Sequence, residues 1–344
     1  MGKNCFISGI SGQDGAYLAK LLLEKGNKVI GGVRRTASGS LWRLDELGIK
    51  DDVEIVNFEL AELTNIFRTI EKISIDELYN LASQSFVSSS FETPLMTTDI
   101  TGVGALRILE SIREINSDIK FYQASSSEMF GTTKTDQQNE NTNFHPRSPY
   151  AVAKLLSHWA TINYRESYGI FAVSGILFNH ESPLRGEEFV TRKITLSLAR
   201  IKYGHQEVLE LGNIDVMRDW GFAGDYVKGI WQMMQEKTPD DYVLASGVNY
   251  SIREFVEKAG THYGFNIVWE GAGIEEKGID KVSNKVIVSI NQKFYRPADV
   301  HNLLGDSTKA REKLGWKPTI SFDELVAMMA EADMKRIEKY MKLL

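Results

Sequence analysis

Seven residues near the start constrain this chain most. Gly9-Ile10-Ser11-Gly12-Gln13-Asp14-Gly15 follows a short apolar run, residues 4–7, and leads into the amphipathic stretch AYLAKLLLEKG. Strand, glycine-rich turn and helix in that order make the entry to a nucleotide-binding unit. Gly9 permits the turn, Gly12 lets a pyrophosphate approach the backbone, and Gly15 lets helix and strand pack closely. The helix N-terminus then faces the anion with unsatisfied N–H groups.

Residues 28–33 read as a second strand, ending in Arg34-Arg35. An NAD site has an acidic residue there for the ribose 2′-hydroxyl, whereas arginine suits a 2′-phosphate, so these residues favour NADP. The next stretch, TASGSLWRLDELG with Trp42, is long for a connection between strand and helix and reads as a functional loop or interface element. Further strands are expected at residues 53–56 and 77–81, a long helix over residues 97–114, and strands at the apolar runs from Phe121 and Phe171. Alternation of this kind predicts a parallel sheet with right-handed crossovers. Beyond residue 183 the alternation weakens. The expected fold is α/β, a doubly wound parallel sheet of the Rossmann type over residues 1–180. A smaller α/β substrate-binding lobe over 181–344 is interleaved with it.

Composition narrows the function classes. The chain's 344 residues, 42% of them hydrophobic, can bury a substantial core. No run is long and apolar enough to span a bilayer. The opening MGKNCFISGI shows neither a signal region nor a myristoylation motif, Phe6 standing where the latter wants Ser or Thr. A cytoplasmic protein is expected. The single Cys5 excludes an intrachain disulfide and a cysteine-rich metal site, and no metal is called for. A net charge of −6 argues against a nucleic-acid partner.

The chemistry concentrates in FYQASSSEMFG, from Phe121, and RSPYAVAK, ending at Lys154. The apolar run breaks at Ser125-Ser126-Ser127-Glu128, and strand ends of an open parallel sheet carry chemistry. Ser148-Pro149 opens a helix on which Tyr150 and Lys154 stand four apart, on one face. A tyrosine's ordinary pKa of ~10 is too high for a base at neutral pH. A neighbouring ammonium favours phenolate, so Tyr150 can take a proton from a substrate hydroxyl that Ser126 also hydrogen-bonds. Glu128 adds an acid/base group that simple hydroxyl oxidation does not need. On its own YxxxK is a common accident of helices; its weight comes from the residues before it.

After the strand near residue 177, Asn179 is the better candidate for a substrate contact, and His180 reads first as a satisfied structural histidine. Lys193, Arg218 and Arg296, each beside aromatic or Gly/Pro residues, are candidates to converge on a diphosphate.

These segments resemble the extended short-chain dehydrogenase/reductases, and within them the GDP-mannose 4,6-dehydratase family. The resemblance runs through GQDGAYLAKLLLEKG, FYQASSSEMFG, RSPYAVAK, GILFNHESPLRGEEFVTRKIT, LGNIDVMRDWG, FYRPADV and GDSTKA. It implies an internal redox cycle on NADP: Tyr150 deprotonates the sugar 4-hydroxyl, and Lys154 holds the phenolate and cofactor ribose. Glu128 removes the C5 proton and helps water leave C6, with Ser126 nearby. It places Gly9, Gly12, Gln13, Asp14, Gly15, Arg34, Arg35, Glu59, Leu60, Leu81, Tyr150, Lys154 and His180 at the cofactor. Ser85, Asn179, Glu188, Lys193, Arg218 and Arg296 fall to the GDP-sugar. It also implies a homo-oligomer, a tetramer in which the loop from Arg35 reaches a neighbour's cofactor site.

The sequence departs from the family pattern at several points. Ser126 stands for threonine, Phe86 follows Gln84-Ser85 where the family has QSHV, Phe222 follows Gly221 where it has RDWGHA, and Leu184 interrupts SPRRG. Glu59 replaces an aspartate expected at adenine. The sugar therefore stays open between GDP-mannose, the default, and GDP-D-glycero-D-manno-heptose. An epimerase or reductase, or a non-catalytic nucleotide sensor on the same scaffold, is the remaining alternative; Glu128 argues against the first two and the intact tetrad against the third.

Overall fold

The computed structural model describes residues 2–35, 40–133, 135–295, 300 and 302–341. Six strands of the first half are β1 (Asn4–Ser8), β2 (Lys28–Val33), β3 (Glu54–Asn57), β4 (Glu77–Asn80), β5 (Lys120–Ser126) and β6 (Ala172–Leu177). The helices between them are α1 (Gln13–Glu24), α2 (Trp42–Glu46), α3 (Leu63–Lys72), α4 (Val87–Glu92), α5 (Pro94–Thr97), α6 (Gly104–Ile115) and α7 (Pro149–Tyr168). All strands of the main sheet run parallel.

Their side chains alternate between two cores, as the two-residue period of a strand requires. Cys5, Ile7, Tyr79, Tyr122 and Val173 point into one core with Leu18 and Leu22 of α1. Phe6, Leu78, Phe121 and Ala172 point into the other with Ile108 and Ile112 of α6. Burial on both faces is why these strands read as continuous apolar runs.

The second half supplies β7 (Asn179–Glu181), α8 (Val190–Lys202), β8 (Leu209–Leu211), β9 (Met217–Phe222), α9 (Ala223–Gln235) and β10 (Asp241–Leu244). After these come β11 (Asn249–Ser251), α10 (Ile252–His262), β12 (Ile267–Glu270), β13 (Lys277–Asp280), β14 (Lys285–Ile290), β15 (Asn302–Leu303), α11 (Thr308–Leu314) and α12 (Phe322–Met341). One of them returns to the main sheet, whose order is β10-β6-β5-β4-β1-β2-β3. The sheet is therefore not confined to residues 1–180. Two small sheets complete the second half, β11-β9-β15 with β7 paired to β9, and β12-β13-β14-β8. A separate core joins α8, α10 and α12 through Ile194, Leu198, Phe255, Phe322, Leu325 and Val326.

Two local expectations change. The strand from Phe121 does not break at Ser125 but runs through Ser126, and a 3-10 turn over Ser127–Met129 then carries Glu128. The helix expected over 97–114 is not one α-helix, because Thr98–Val103 winds as π-helix between α5 and α6. Thr97 and Thr98 donate their hydroxyls to the carbonyls of Thr93 and Pro94, and the Thr101 hydroxyl accepts from the Gln84 amide. Short π-helical stretches of this kind occur frequently at functional sites.

Candidate active site

Because β4 lies beside β1 while β2 and β3 lie on its other side, chain direction across the sheet reverses between β1 and β4. A crevice opens outside the strand ends at such a reversal. The cleft found there has a volume of about 1160 Å³ and extends from the glycine turn to the second lobe.

At one end, Gly9 has φ +74° and a Cβ there would meet the Ala82 backbone at 2.8 Å. A Cβ on Gly15 would meet the Gly9 carbonyl oxygen at 2.5 Å and Ile10 Cα at 2.6 Å. Gly12 caps α1 without a side-chain hydrogen bond, so the first-turn amides face the cleft uncovered. This cradle fits an anionic dinucleotide. Arg34 lines the cleft beyond β2, with Glu59, Leu60 and Leu81 also on its walls. Arg35 is exposed and is not part of the lining, so of the two arginines only Arg34 is brought to the site.

Asp14, in the first turn of α1, meets His180 of β7. His180 Nε2 lies 2.8 Å from Asp14 Oδ2, and Nδ1 lies 2.7 Å from the Phe178 carbonyl oxygen. The ring stacks on Tyr226 of α9 at 4.7 Å. Burial alone would raise Asp14, but the His180 charge and hydrogen bonds from His180 and Gln13 bring it down to about 2. Burial would lower His180, and the Asp14 charge and hydrogen bond override it to raise the imidazole. Gln13 extends the link, its amide donating to the His180 carbonyl at 3.0 Å and accepting from Ser182 at 2.7 Å. His180 is thus both satisfied within the protein and on the cleft wall.

The middle of the cleft holds Ser126, Glu128, Tyr150 and Lys154. The Ser148 hydroxyl caps α7 by accepting from the Ala151 amide at 3.1 Å, with Pro149 in the first turn, which fixes where Tyr150 emerges. The Glu128 amide donates to Ser126 Oγ at 3.2 Å, so the turn after β5 sets both groups together. Burial pushes Tyr150 up to about 12; a Ser126 hydrogen bond and the Arg185 charge act downward, and the Glu128 charge upward.

Lys154 Nζ donates to the Ala124 carbonyl at 2.7 Å and stands 5.8 Å from the Tyr150 ring centre. Burial brings Lys154 down to about 8. Burial sets the phenol, and Arg185 is the cation acting on it.

At the other end Asn179, Glu188, Lys193 and Arg218 share the wall with Ser85. Lys193 Nζ sits 3.4 Å over the Phe294 ring, and Arg218 donates to the carbonyls of Met217 at 2.9 Å and Val300 at 2.7 Å. Lys193 and Arg218 thus come to one cleft, while Arg296 lies outside the described residues, as do residues 36–39 of the loop after Arg35. Of the three departures near the sugar segments only Phe86 lines the cleft, packed edge-on against Phe189 at 5.8 Å. Leu184 is buried and Phe222 packs on Tyr17.

Sequence reasoning missed Arg43 and Arg185 as cleft residues. Arg43 carried no signal, being one cation in a loop. Arg185 lies in the quoted SPLRG segment but has no recognisable spacing to a partner. Among the described residues no group of three or more His, Cys, Asp or Glu is arranged to hold a metal.

A family model described as GDP-mannose 4,6 dehydratase matches residues 6–329. A GDP-mannose 4,6-dehydratase of Vibrio cholerae is 45% identical, covering 99% of this chain and 96% of its own length. That of Sinorhizobium fredii (strain HH103) is 49% identical over 96% of this chain and 97% of itself. The human one is 48% identical over 96% and 91%. Among solved structures, a Thermotoga maritima UDP-glucose 4-epimerase with UDP-glucose superposes with a TM-score of 0.81 at 21% identity, covering 97% of this chain and 99% of the other. A dTDP-glucose 4,6-dehydratase of Bacillus anthracis in complex with NAD gives 0.80 at 19% identity, with both chains covered completely. At that identity the two structures speak for the fold, and the sequence relatives for the family. The chain belongs to the GDP-mannose 4,6-dehydratase family.

Proposed function

We propose that this protein is a hydro-lyase that removes water across C5 and C6 of a GDP-linked manno-configured sugar, GDP-mannose by default, leaving the 4-keto-6-deoxy sugar. The observation that carries the reading is Glu128 beside Ser126 and Tyr150 in one cleft, a carboxylate that oxidation at C4 alone does not require. The glycine turn and Arg34 support NADP as the resident cofactor, Arg34 meeting the 2′-phosphate. When bound, NADP would supply the hydride acceptor needed at C4 and the hydride donor needed at C6.

The chain's own residues do the rest. Tyr150 takes the proton of the 4-hydroxyl, and Ser126 hydrogen-bonds the same oxygen as it becomes a carbonyl. That carbonyl acidifies C5, whose proton Glu128 removes. Glu128 then gives that proton to the departing C6 hydroxyl, which leaves as water; as hydride reaches C6, Glu128, reprotonated from solvent, gives C5 a proton, and the proton first taken by Tyr150 passes to solvent. A phenol held near 12 by burial is scarcely ionised near neutral pH, and the charges of Lys154 and Arg185 would favour departure of its proton. Lys193 and Arg218 would take the diphosphate, with Asn179 and Glu188 toward the sugar.

Val152, Leu156 and Trp159 are exposed at one-turn spacing on α7, beside exposed Leu95 of α5. That apolar stripe supports a homo-oligomer, whose tetrameric state light scattering tests. The reading also includes a cytoplasmic enzyme with a cofactor half near residues 1–180 and a sugar lobe beyond it, β10 crossing back. GDP-D-glycero-D-manno-heptose as the sugar rests on Phe86 alone, and the ratio of kcat/KM for the two sugars decides it.

The direct test follows product mass from GDP-mannose. Loss of one water with no net change in NADPH supports the reading; a product of unchanged mass, or stoichiometric NADPH consumption, defeats it.

A further inference from the structure

Between the end of β7 at Glu181 and the start of α8 at Val190 the chain has no ladder of its own. This strap brings Arg185 and Glu188 to the cleft. Three consecutive carbonyls in it need partners from elsewhere. Arg192 Nη1 donates to the Pro183 carbonyl at 2.9 Å and to the Arg185 carbonyl at 3.0 Å. Arg43 Nε donates to the Leu184 carbonyl between them at 2.6 Å.

Both guanidiniums are held from behind. Arg192 is buried and pairs through Nε with the fully buried Asp333 of α12 at 2.8 Å, where Thr195 and Arg336 also donate. Arg336 in turn pairs with Glu46 and lies over Trp42, so α12 braces α2 as well. Arg43, on α2 and over the same Trp42 ring, sends Nη1 to the Ser11 carbonyl at 2.9 Å. Ser11 belongs to the glycine turn. One side chain therefore spans the turn that would hold a pyrophosphate and the strap that presents Arg185 and Glu188.

Arg185 itself is held by an ion pair and a ring contact from residues at the strap's two ends, without a hydrogen bond at Nε. Its Nε is 3.1 Å from Glu181 Oε2 but too far off line for a hydrogen bond, and its guanidinium covers the Phe189 ring at 3.6 Å. Its position therefore depends on where the strap backbone is fixed.

We propose that Arg43 is a positioning residue that ties the cofactor turn to the sugar strap by bridging the Ser11 and Leu184 carbonyls, with Arg192 and Asp333 anchoring the strap's other carbonyls. Arg43 acts through its forked geometry rather than its charge. Lysine keeps the charge, but its nitrogen falls where the guanidinium carbon stands, short of at least one of the two carbonyls.

The experiment compares Arg43→Lys, Arg43→Gln and Arg43→Met in the full chain. The first readout is amide hydrogen exchange of the unliganded protein. The Leu184, Arg185 and Phe189 amides bond within the strap, to Ser182 and Gly186. Their exchange should rise about tenfold or more in Arg43→Lys and Arg43→Met and by less in Arg43→Gln, as for loss of a hydrogen bond from a charged donor, while the β4 and β5 amides keep wild-type rates. The second readout rests on the GDP-sugar reading: KM for the sugar nucleotide rises about tenfold or more in Arg43→Lys as in Arg43→Met, with kcat falling less. Arg43→Lys with wild-type exchange and wild-type KM overturns the proposal, leaving Arg43 a plain cation. Raised exchange without turnover of any GDP-sugar, wild type included, defeats the functional reading and leaves the tie standing. Arg43 is only half-buried, and Arg43→Gln, which can still reach one carbonyl, gives an intermediate exchange rate if any variant folds poorly.

Discussion

The two ends of the cleft are built by different means. At the cofactor end the shape follows mainly from residues within a few positions of one another: Gly9 at φ +74°, Gly15 with no room for a Cβ, and α1 following directly. At the sugar end the groups are placed by contacts between residues far apart in sequence, Arg43 to Leu184 and Arg192 to Asp333. A locally coded end tolerates distant change and fails sharply on one methyl group. An end assembled from a distance has many points at which it can fail, each by an amount set by burial.

The largest break belongs to neither end. Glu128→Gln should reduce dehydration about 10²–10⁴-fold while leaving GDP and NADP binding near wild type, read by product mass and by calorimetric titration. Near-normal turnover would remove Glu128 from the chemistry. Next, Asp333→Ala leaves Arg192 buried without its partner and should cost about 3–5 kcal/mol in urea unfolding. An effect below ~1 kcal/mol would mean that the sugar end does not depend on α12.

Gly15→Ala is the matching break at the cofactor end, since its methyl would enter the space of the Gly9 carbonyl and Ile10. It should cost about 1–3 kcal/mol and weaken NADP binding, with little change in GDP binding. Equal loss of both ligands would erase the contrast between the ends.

The smallest effect is in pH, at the Asp14–His180 pair that links them. Asp14 is held near 2, below its unfolded value of ~3.9, so its contribution is complete above the unfolded value and is lost as pH falls from about 4 toward 2. His180 is raised, so its contribution is present below ~6.5 and is lost as pH rises through its folded value. Asp14→Asn should flatten the acid limb of stability against pH, and His180→Gln the limb above the ordinary histidine value of ~6.5. Unchanged limbs in urea melts across pH would break the link.

The same contrast explains what could be read from the sequence. The strand, turn and helix at 4–24, the α7 start at Ser148-Pro149 and the one-turn spacing of Tyr150 and Lys154 are local, and each stands where the residues placed it. Local pattern could not see that β10 returns to the main sheet, that 98–103 winds as π-helix, or that Arg43 crosses to Leu184. Nor could it weigh burial against charge at Tyr150, because Lys154's turn toward the Ala124 carbonyl depends on how α7 seats on β5. That Lys193 and Arg218 share one cleft emerged only from the core in which Ile194 and Leu198 of α8 meet Trp220 of β9.

The central claim is that hydrogen at C4 travels to C6 within one sugar while Glu128 exchanges the proton at C5. GDP-mannose carrying deuterium at C4, turned over by the protein with added NADP in ordinary water, tests it most directly by NMR of the product. The account predicts deuterium at C6, a protium from solvent at C5 and no net NADPH. Deuterium recovered on released NADPH, or retained at C4 of an inverted sugar, would contradict it.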